Sequence, residues 1–145
     1  MSDPRSALAV ALQALAPRER SRRDVDERLA RAGFGEEARR DALDELERLG
    51  YLDDRRFAAA RAEALARRGY GDAVIREELA RHGVDGDAAA EALAGLAPEA
   101  ERAAAALAGG RPGPRLAARL GRKGFGAEAI EAALGAGFAD EADST

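Results

Sequence analysis

The chain contains no cysteine and no tryptophan, and aromatic residues make up only 4% of it. Without cysteine, the protein can form neither a disulfide nor a thiolate-ligated metal site. Valine, isoleucine and threonine are scarce, so strands lack the residues that favour them. Alanine, leucine, arginine and glutamate dominate instead, and these residues lose little freedom in a helix. The composition therefore predicts an all-α fold.

Long hydrophobic runs are also missing. No apolar stretch approaches the roughly 20 residues needed to cross a bilayer. The first residues, Met1 to Pro4, lack the basic region and apolar run of a secretory signal. We therefore expect a cytoplasmic protein that has no association with a membrane.

An excess of positive charge is absent as well. The 23 basic residues are outnumbered by 27 acidic ones, which gives a formal net charge of −4. Proteins that coat nucleic acid without sequence preference are usually basic, so the composition argues against that class. The acidic excess is concentrated in residues 41–100, whereas the flanking segments are balanced or slightly basic.

Glycines mark the predicted helix ends. Six glycines are each followed by an apolar residue that has another apolar residue five positions before it. This spacing is typical of a helix C-terminus that ends on a left-handed glycine. The six pairs are Gly33-Phe34, Gly50-Tyr51, Gly69-Tyr70, Gly83-Val84, Gly124-Phe125 and Gly137-Phe138.

Three of these ends belong to a longer phrase that recurs along the chain. Its copies are centred on Gly33, Gly83 and Gly124. Each copy has a leucine four residues before the glycine and a further apolar residue four before that. Alanine recurs at the fifth and ninth positions after the glycine, and leucine at the tenth. This agreement indicates an internal repeat.

We therefore predict three tandem three-helix repeats that form an elongated, curved array. The repeats are assigned to residues 1–50, 51–97 and 98–137, and residues 138–145 to an acidic disordered tail. Ser21, Asp53 and Asp85 are expected to cap helices. The predicted helices are Ser6–Leu15, Arg22–Ala32, Glu36–Leu49, Asp54–Arg68, Asp72–His82, Gly86–Leu96, Glu99–Ala108, Pro114–Lys123 and Ala127–Ala136.

No pattern in the sequence predicts catalysis, a cofactor or a metal site. The glycines between Gly109 and Gly113 lack the lysine and hydroxyl that a phosphate-binding loop needs, which favours a linker. The only histidine, His82, stands at a predicted helix C-terminus without recognisable metal ligands around it. Asp53 and Asp54 are adjacent on a helix, so they point in different directions. We expect no enzyme.

Arginines recur at equivalent places in the three units. Arg31, Arg81 and Arg122 each point about 140° away from the inward face of their helix, at 100° per residue. Arg23 shares this outward side, whereas Lys123 projects elsewhere. Two interpretations stay open: these cations complement the helix dipole, or they bind phosphates or an acidic protein surface. All five residues are candidate contacts with a partner or with DNA.

The segment from Gly50 to Ala58, Gly-Tyr-Leu-Asp-Asp-Arg-Arg-Phe-Ala, resembles the signature of the RecX family. Three further segments also resemble RecX sequences, so the likeness covers about residues 6–137. They are Ser21 to Leu29, Arg68 to Leu79, and Arg119 to Phe125. Within the signature, Tyr51, Leu52, Asp53, Asp54 and Phe57 are interpreted as structural: Tyr51 and Phe57 would pack, and Asp53 would cap a helix.

The resemblance implies a regulator of the RecA recombinase in homologous recombination, DNA repair and the SOS response. Members of the family bind along the groove of the RecA–DNA filament and reduce its extension, ATP hydrolysis and strand exchange. The expected partners are therefore the RecA filament and single- or double-stranded DNA, and we expect a monomer. The alternative is a direct DNA-binding protein whose repeats act like helix-turn-helix units.

Overall fold

The computed structural model describes residues 4–107 and 112–143, which form nine helices and no strand. The predicted all-α fold is confirmed. The helices are α1 (Pro4–Leu15), α2 (Arg22–Arg31), α3 (Glu36–Arg48), α4 (Asp54–Arg67), α5 (Asp72–Arg81), α6 (Gly86–Ala94), α7 (Glu99–Leu107), α8 (Pro114–Arg122) and α9 (Ala127–Asp143).

Successive groups of three helices each enclose a core of their own. The closest helix pairs are α1 with α3, α4 with α6, and α7 with α9, so the first and third helices of each group pack together. We call these groups the first, second and third units. Buried apolar side chains form three separate clusters, which contain Leu46, Ile75 and Phe125 respectively. A three-helix arrangement in tandem is therefore the organisation of the chain.

Alanine is a regular core residue of the first helix in every unit. Ala11 in α1, Ala62 in α4 and Ala103 in α7 have no exposed surface. Ala104, Ala105 and Ala106, by contrast, are exposed. The alanine-rich α7 therefore follows the same plan as its counterparts, because a small side chain lets the neighbouring helix approach closely.

Five of the six predicted helix ends are confirmed. Gly33, Gly50, Gly69, Gly83 and Gly124 have positive φ. After each glycine, the next backbone N–H donates to the carbonyl of the predicted leucine partner five positions earlier. These bonds measure 2.9–3.1 Å, from Phe34 to Leu29 at the first end and from Phe125 to Leu120 at the last. The glycine and its apolar follower therefore end each of these helices in a Schellman motif.

The sixth predicted end is wrong, because α9 continues past Gly137 to Asp143. Residues 138–143, predicted as part of a disordered tail, are helical; residues 144–145 lie outside the described residues. The first unit explains the difference. Its third helix ends at Gly50, and when Gly33 is aligned with Gly124 the position equivalent to Gly50 is Glu141. A glycine in a helix interior costs only about 1 kcal/mol, so Gly137 alone does not end α9.

The three predicted caps are confirmed. The Ser21 hydroxyl accepts a hydrogen bond from the Asp24 N–H at 3.2 Å, at the start of α2. Asp53 accepts from the first turn of α4. Asp85 accepts from the Ala88 N–H at 2.8 Å, at the start of α6. Each cap satisfies N–H groups that the helix itself leaves unbonded.

No helix of the described residues is both long enough and apolar enough to cross a membrane.

Candidate interaction surface

The segment from Tyr51 to Phe57 joins the first unit to the second. Tyr51 is 55% exposed, so the prediction that it packs is wrong. Leu52 takes that role instead: it is buried in the core of the first unit, and its N–H bonds to the Leu46 carbonyl at 3.2 Å. The chain turns at Gly50, which places Tyr51 outside and the next side chain inside. Phe57 is buried in the second unit, as predicted.

Asp54 caps a helix of the preceding unit. Its Oδ1 accepts a hydrogen bond from the Arg22 N–H at 2.8 Å, at the first residue of α2. Burial raises the pKa of the Asp54 carboxyl, and the hydrogen bond from Arg22 opposes this shift. Sequence reasoning interpreted Asp54 as structural but could not name its partner, since the two bonded residues lie 32 positions apart.

Glu99 repeats this arrangement one unit further along. It is the first residue of α7, and its Oε2 accepts from the N–H of Asp72, the first residue of α5, at 2.7 Å. Its other oxygen accepts from the Gly126 N–H at 3.0 Å. A carboxylate at the start of each following unit therefore caps the middle helix of the unit before it. The first residue of α8 is Pro114, which has no N–H to donate.

The three repeated arginines are exposed in the last turn of α2, α5 and α8. Arg81 pairs with Glu77 at 3.0 Å and with Glu78 at 3.6 Å. Within the described part of the chain, Arg31 and Arg122 have no carboxylate within salt-bridge distance. The outward direction of all three is as predicted, and their role in contacting a partner stays a prediction.

Arg23 and Lys123 lie at the junctions between units. Arg23 is exposed and pairs with Glu27 at 3.3 Å, while its aliphatic carbons lie against Gly83 of the second unit. Lys123 is half-buried, and its ammonium lies 4.9 Å from the centre of the Tyr70 ring. Contact of either residue with a partner likewise stays a prediction.

Sequence reasoning missed Arg68 and Tyr70 as neighbours of Lys123. The Arg68 guanidinium lies 5.6 Å from the centre of the Tyr70 ring, so two cations from different units share one aromatic side chain. Neither has a carboxylate within salt-bridge distance among the residues that the structure covers. A cation–π contact is worth about 0.5–1 kcal/mol at an exposed site and leaves the charge available. This group, which we call the Tyr70 cation pair, can accept an anion.

A cleft of about 310 Å³ separates the first unit from the second. His82 lies on its wall, with Nδ1 2.7 Å from Asp24 Oδ2 of the first unit and Nε2 3.3 Å from Glu78 Oε1 of its own helix. The His82 ring also contacts the Phe57 ring, with centroids 5.3 Å apart. The cleft is lined by Arg18, Glu19, Arg20, Asp24, Phe57, Ala60, Arg61, Ala64 and His82.

Three arginines gather beside this cleft. Burial lowers the pKa of the Arg20 guanidinium, and the nearby charges of Arg18 and Arg28 lower it further. Arg20 Nε donates to the Ala14 carbonyl at 2.6 Å, which fixes its side chain at the edge of the first unit. The first junction is therefore of mixed charge, because Glu19 and Asp24 line the same cleft.

Across residues 4–107 and 112–143, no three histidine, aspartate or glutamate side chains are grouped so that they could hold a metal ion. The features that the three units share are instead exposed cations at helix ends and polar bonds between units.

Comparisons with known proteins agree with the sequence resemblance. The family model for RecX, second three-helix domain, matches residues 53–93. A regulatory protein RecX from Vibrio cholerae serotype O1 is 34% identical over 68 residues, which cover 47% of this chain and 45% of that protein. RecX of a second strain of this species matches to the same extent. The matched stretch therefore spans less than half the length of these relatives.

Solved structures show the same fold over most of the chain. The crystal structure of RecX from Lactobacillus salivarius has a TM-score of 0.80 at 22% identity, covering 90% of this chain and 94% of that one. A crystal structure of a regulatory protein RecX has a TM-score of 0.76 at 24% identity, covering 88% and 71%. The resemblance to the RecX family is thus confirmed: this chain has the same fold as solved RecX structures, and its residues 53–93 match the model of the family's second three-helix domain.

Proposed function

We propose that this protein binds the RecA–DNA filament and negatively modulates its extension, its ATP hydrolysis and its recombination activity in DNA repair and the SOS response. The likeness to proteins named regulatory protein RecX supports a regulatory role. The repetition of exposed arginines at the same helix end in three units is the structural observation that carries the proposal.

A repeated surface suits a periodic target. Arg31, Arg81 and Arg122 occupy equivalent positions, so successive units can make the same contact with successive parts of a polymer. Each contact is weak by itself, but linkage in one chain makes the later contacts intramolecular and multiplies the affinity. A guanidinium can hold a phosphate or carboxylate through two hydrogen bonds, which suits either the DNA or an acidic surface of the protein filament.

The test is a triple charge reversal. Arg31→Glu, Arg81→Glu and Arg122→Glu together should raise the protein concentration needed to inhibit the ATPase of a RecA filament on single-stranded DNA. The matched control reverses three other exposed arginines, Arg40, Arg67 and Arg76. Both variants change the net charge by the same amount, so a difference between them reports the position of the charges.

Helical circular dichroism should be unchanged in both variants, because all six arginines are exposed. Inhibition at wild-type concentrations by the first variant would remove the repeated arginines from the binding surface. Absence of any inhibition by the wild-type protein would end the proposal itself.

A second candidate function is direct binding to DNA, and the Tyr70 cation pair favours it. Arg68 and Lys123 place two positive charges beside one aromatic ring, an arrangement that suits a phosphate with a stacked base. We expect this contact to add to filament binding, because the net charge of −4 opposes tight binding to naked DNA. A gel-shift titration at two salt concentrations, with and without RecA, separates the two functions.

The proposed action is binding alone, by a monomer in the cytoplasm where the filament forms, without a cofactor or a chemical step of its own. In single-turnover mixtures with ATP and DNA but no RecA, neither substrate should change. Light scattering at the concentrations used for inhibition should give the mass of one chain.

A further inference from the structure

The two junctions between units are built differently, although both use a carboxylate cap from the following unit. In the second junction, two backbone hydrogen bonds join the second unit to the third. The Gly71 N–H donates to the Lys123 carbonyl at 2.8 Å, and the Ala73 N–H donates to the Gly124 carbonyl at 3.0 Å. The two backbones therefore lie in direct contact.

This contact requires glycine at position 71. A Cβ added to Gly71 would lie 2.4 Å from both the carbonyl carbon of Gly124 and the nitrogen of Phe125. Backbone atoms on both sides leave no flexible group that can yield. The φ and ψ of Gly71, −86° and 175°, are open to any residue, so the requirement comes from space alone.

The first junction has serine at the equivalent position, since alignment of Gly33 with Gly83 places Ser21 opposite Gly71. A Ser21 side chain placed where Gly71 lies would collide with the next unit. Outside the segment that connects the first unit to the second, no backbone-to-backbone hydrogen bond joins these two units among the described residues. A cleft of about 310 Å³ lies at this junction, and a cleft of about 350 Å³, lined by Arg76 and Arg102, lies beside the second. The two junctions therefore differ in their backbone contact and not in the presence of a cleft.

Side-chain bonds hold the first junction. His82 meets Asp24, Arg56 Nε donates to Glu19 at 2.6 Å, and Asp54 caps α2. The two ion-pairing side chains of the Arg56–Glu19 contact are 44% and 36% exposed. Exposed ion pairs contribute little to stability, and their contribution weakens with salt.

Two buried atoms beside the cleft also lack hydrogen-bond partners, Glu19 Oε2 in the first unit and Arg61 Nε in the second. A buried polar atom without a partner has lost its bonds to water and gained none in return, which is destabilising. Opening the cleft would admit water to both atoms. Among the described residues, no such atom lies at the second junction.

We propose that the array bends at the first junction, between Ser21 and His82, while the second and third units move as one rigid body through the Gly71–Gly124 contact. Bending changes the spacing between Arg31 and Arg81 and leaves that between Arg81 and Arg122 fixed. A surface of this kind can follow a target whose repeat length changes. This bending is a property of the chain alone and does not depend on the proposed partner.

The cysteine-free sequence makes the test direct. Glu37, Asp87 and Glu128 are exposed at the same position, four residues after the marker glycine of each unit. Spin labels on Glu37→Cys with Asp87→Cys report the first junction, and labels on Asp87→Cys with Glu128→Cys report the second. The 37–87 distance distribution should be the wider one in dilute salt. It should widen further in about 1 M salt, where the Debye length falls to roughly 3 Å, while the 87–128 distribution stays unchanged.

Substitutions at the two junctions provide matched variants. Gly71→Ser should broaden the 87–128 distribution and leave 37–87 unaltered, because the collision separates only the second and third units. Asp24→Asn should broaden 37–87 alone. Helical circular dichroism distinguishes a loosened junction from an unfolded unit.

Equal, narrow and salt-independent distributions at both junctions of the wild-type chain would overturn the inference, whatever the variants do. A second junction wider than the first would overturn it as well.

Discussion

The first and third units end their middle helices in the same way but have cores of different size. Both end their middle helix at a glycine followed by a buried phenylalanine, Phe34 in one and Phe125 in the other, with the same backbone bond to a leucine. Val25 is fully buried in the first unit, whereas its counterpart Leu116 is only half-buried. The helix ends are therefore the same in the two units, whereas the burial of the core side chains differs.

The largest difference lies in the third helix. Leu46 has no exposed surface, and when the two marker glycines Gly33 and Gly124 are aligned, the residue equivalent to Leu46 is Gly137. Leu43 is buried, but its counterpart Leu134 is half-buried. Because burial of a leucine side chain contributes roughly 1.5–3 kcal/mol, the third unit should be the less stable of the two. In a tandem array each unit rests mainly on its own core and its neighbours, so such differences stay local.

Truncation of the equivalent phenylalanines should produce the largest loss of stability in both units. Phe34→Ala and Phe125→Ala should each remove about 3–5 kcal/mol from the unit that contains them. The third unit is expected to be the less stable, so Phe125→Ala should unfold it and leave the first unit intact. Hydrogen exchange resolved by helix measures this: α8 and α9 should lose protection in Phe125→Ala, and α2 and α3 should keep part of theirs in Phe34→Ala. The reverse order would show that the first unit is the weaker.

Enlarging the buried alanines tests how tightly the first and third cores are packed. Ala11→Leu and Ala103→Leu should each destabilise their unit by about 1–3 kcal/mol, with the greater loss in the fuller first core. Ala105→Leu is the control, since Ala105 is exposed on the same helix as Ala103. Urea unfolding monitored by circular dichroism gives the losses. A stabilised Ala103→Leu would reveal unfilled space in the third core.

Helix capping should give a smaller, opposite pair of effects. Ser21→Ala should cost about 1 kcal/mol by removing the cap of α2. Gly113 starts α8 without a side-chain cap, so Gly113→Ser should gain a few tenths of a kcal/mol. The two changes together should narrow the gap in thermal stability between the units. A loss of stability in Gly113→Ser would mean that its side chain cannot reach the first turn of α8.

Acid should produce the smallest change in stability, and this change should arise in the second unit. The hydrogen bond from Arg61 holds the pKa of the Glu78 carboxyl below its ordinary value of 4.5, and the hydrogen bond with His82 lowers it further, against the effect of burial. A lowered pKa means that Glu78 contributes stability above pH 4.5, and that this contribution is lost as the pH falls through the folded-state value. Between about pH 6 and about pH 3, the midpoint temperature of thermal unfolding should fall less in Glu78→Gln than in the wild type. An identical fall in both proteins would exclude Glu78 as a source of the acid sensitivity.

Most helix ends and caps could be predicted from the residues alone, because their interactions are local. A Schellman end joins residues five positions apart and a cap joins residues two or three apart, so Gly33, Gly124, Ser21 and Asp53 were recognisable as helix ends. The error at Gly137 came from the same local pattern. The repeat register places that residue inside the third helix, and register is a property of the whole unit.

The candidate surface was less predictable, because its members come together over long distances in the chain. The outward direction of Arg31, Arg81 and Arg122 followed from helix geometry within one unit. The partnership of Lys123 with Arg68 and Tyr70 did not, since it depends on how the third unit meets the second.

The threefold helical repeat with glycine-ended helices can be recognised from the residues alone, since each helix end depends on a few neighbouring residues. How the units meet depends on contacts between residues that are distant in the chain. The structure places Leu52 inside and Tyr51 outside, Asp54 against a helix that starts 32 residues earlier, and Gly71 against the backbone of the third unit. These outcomes depend on the space between units, and neighbouring residues in the chain carry no information about that space.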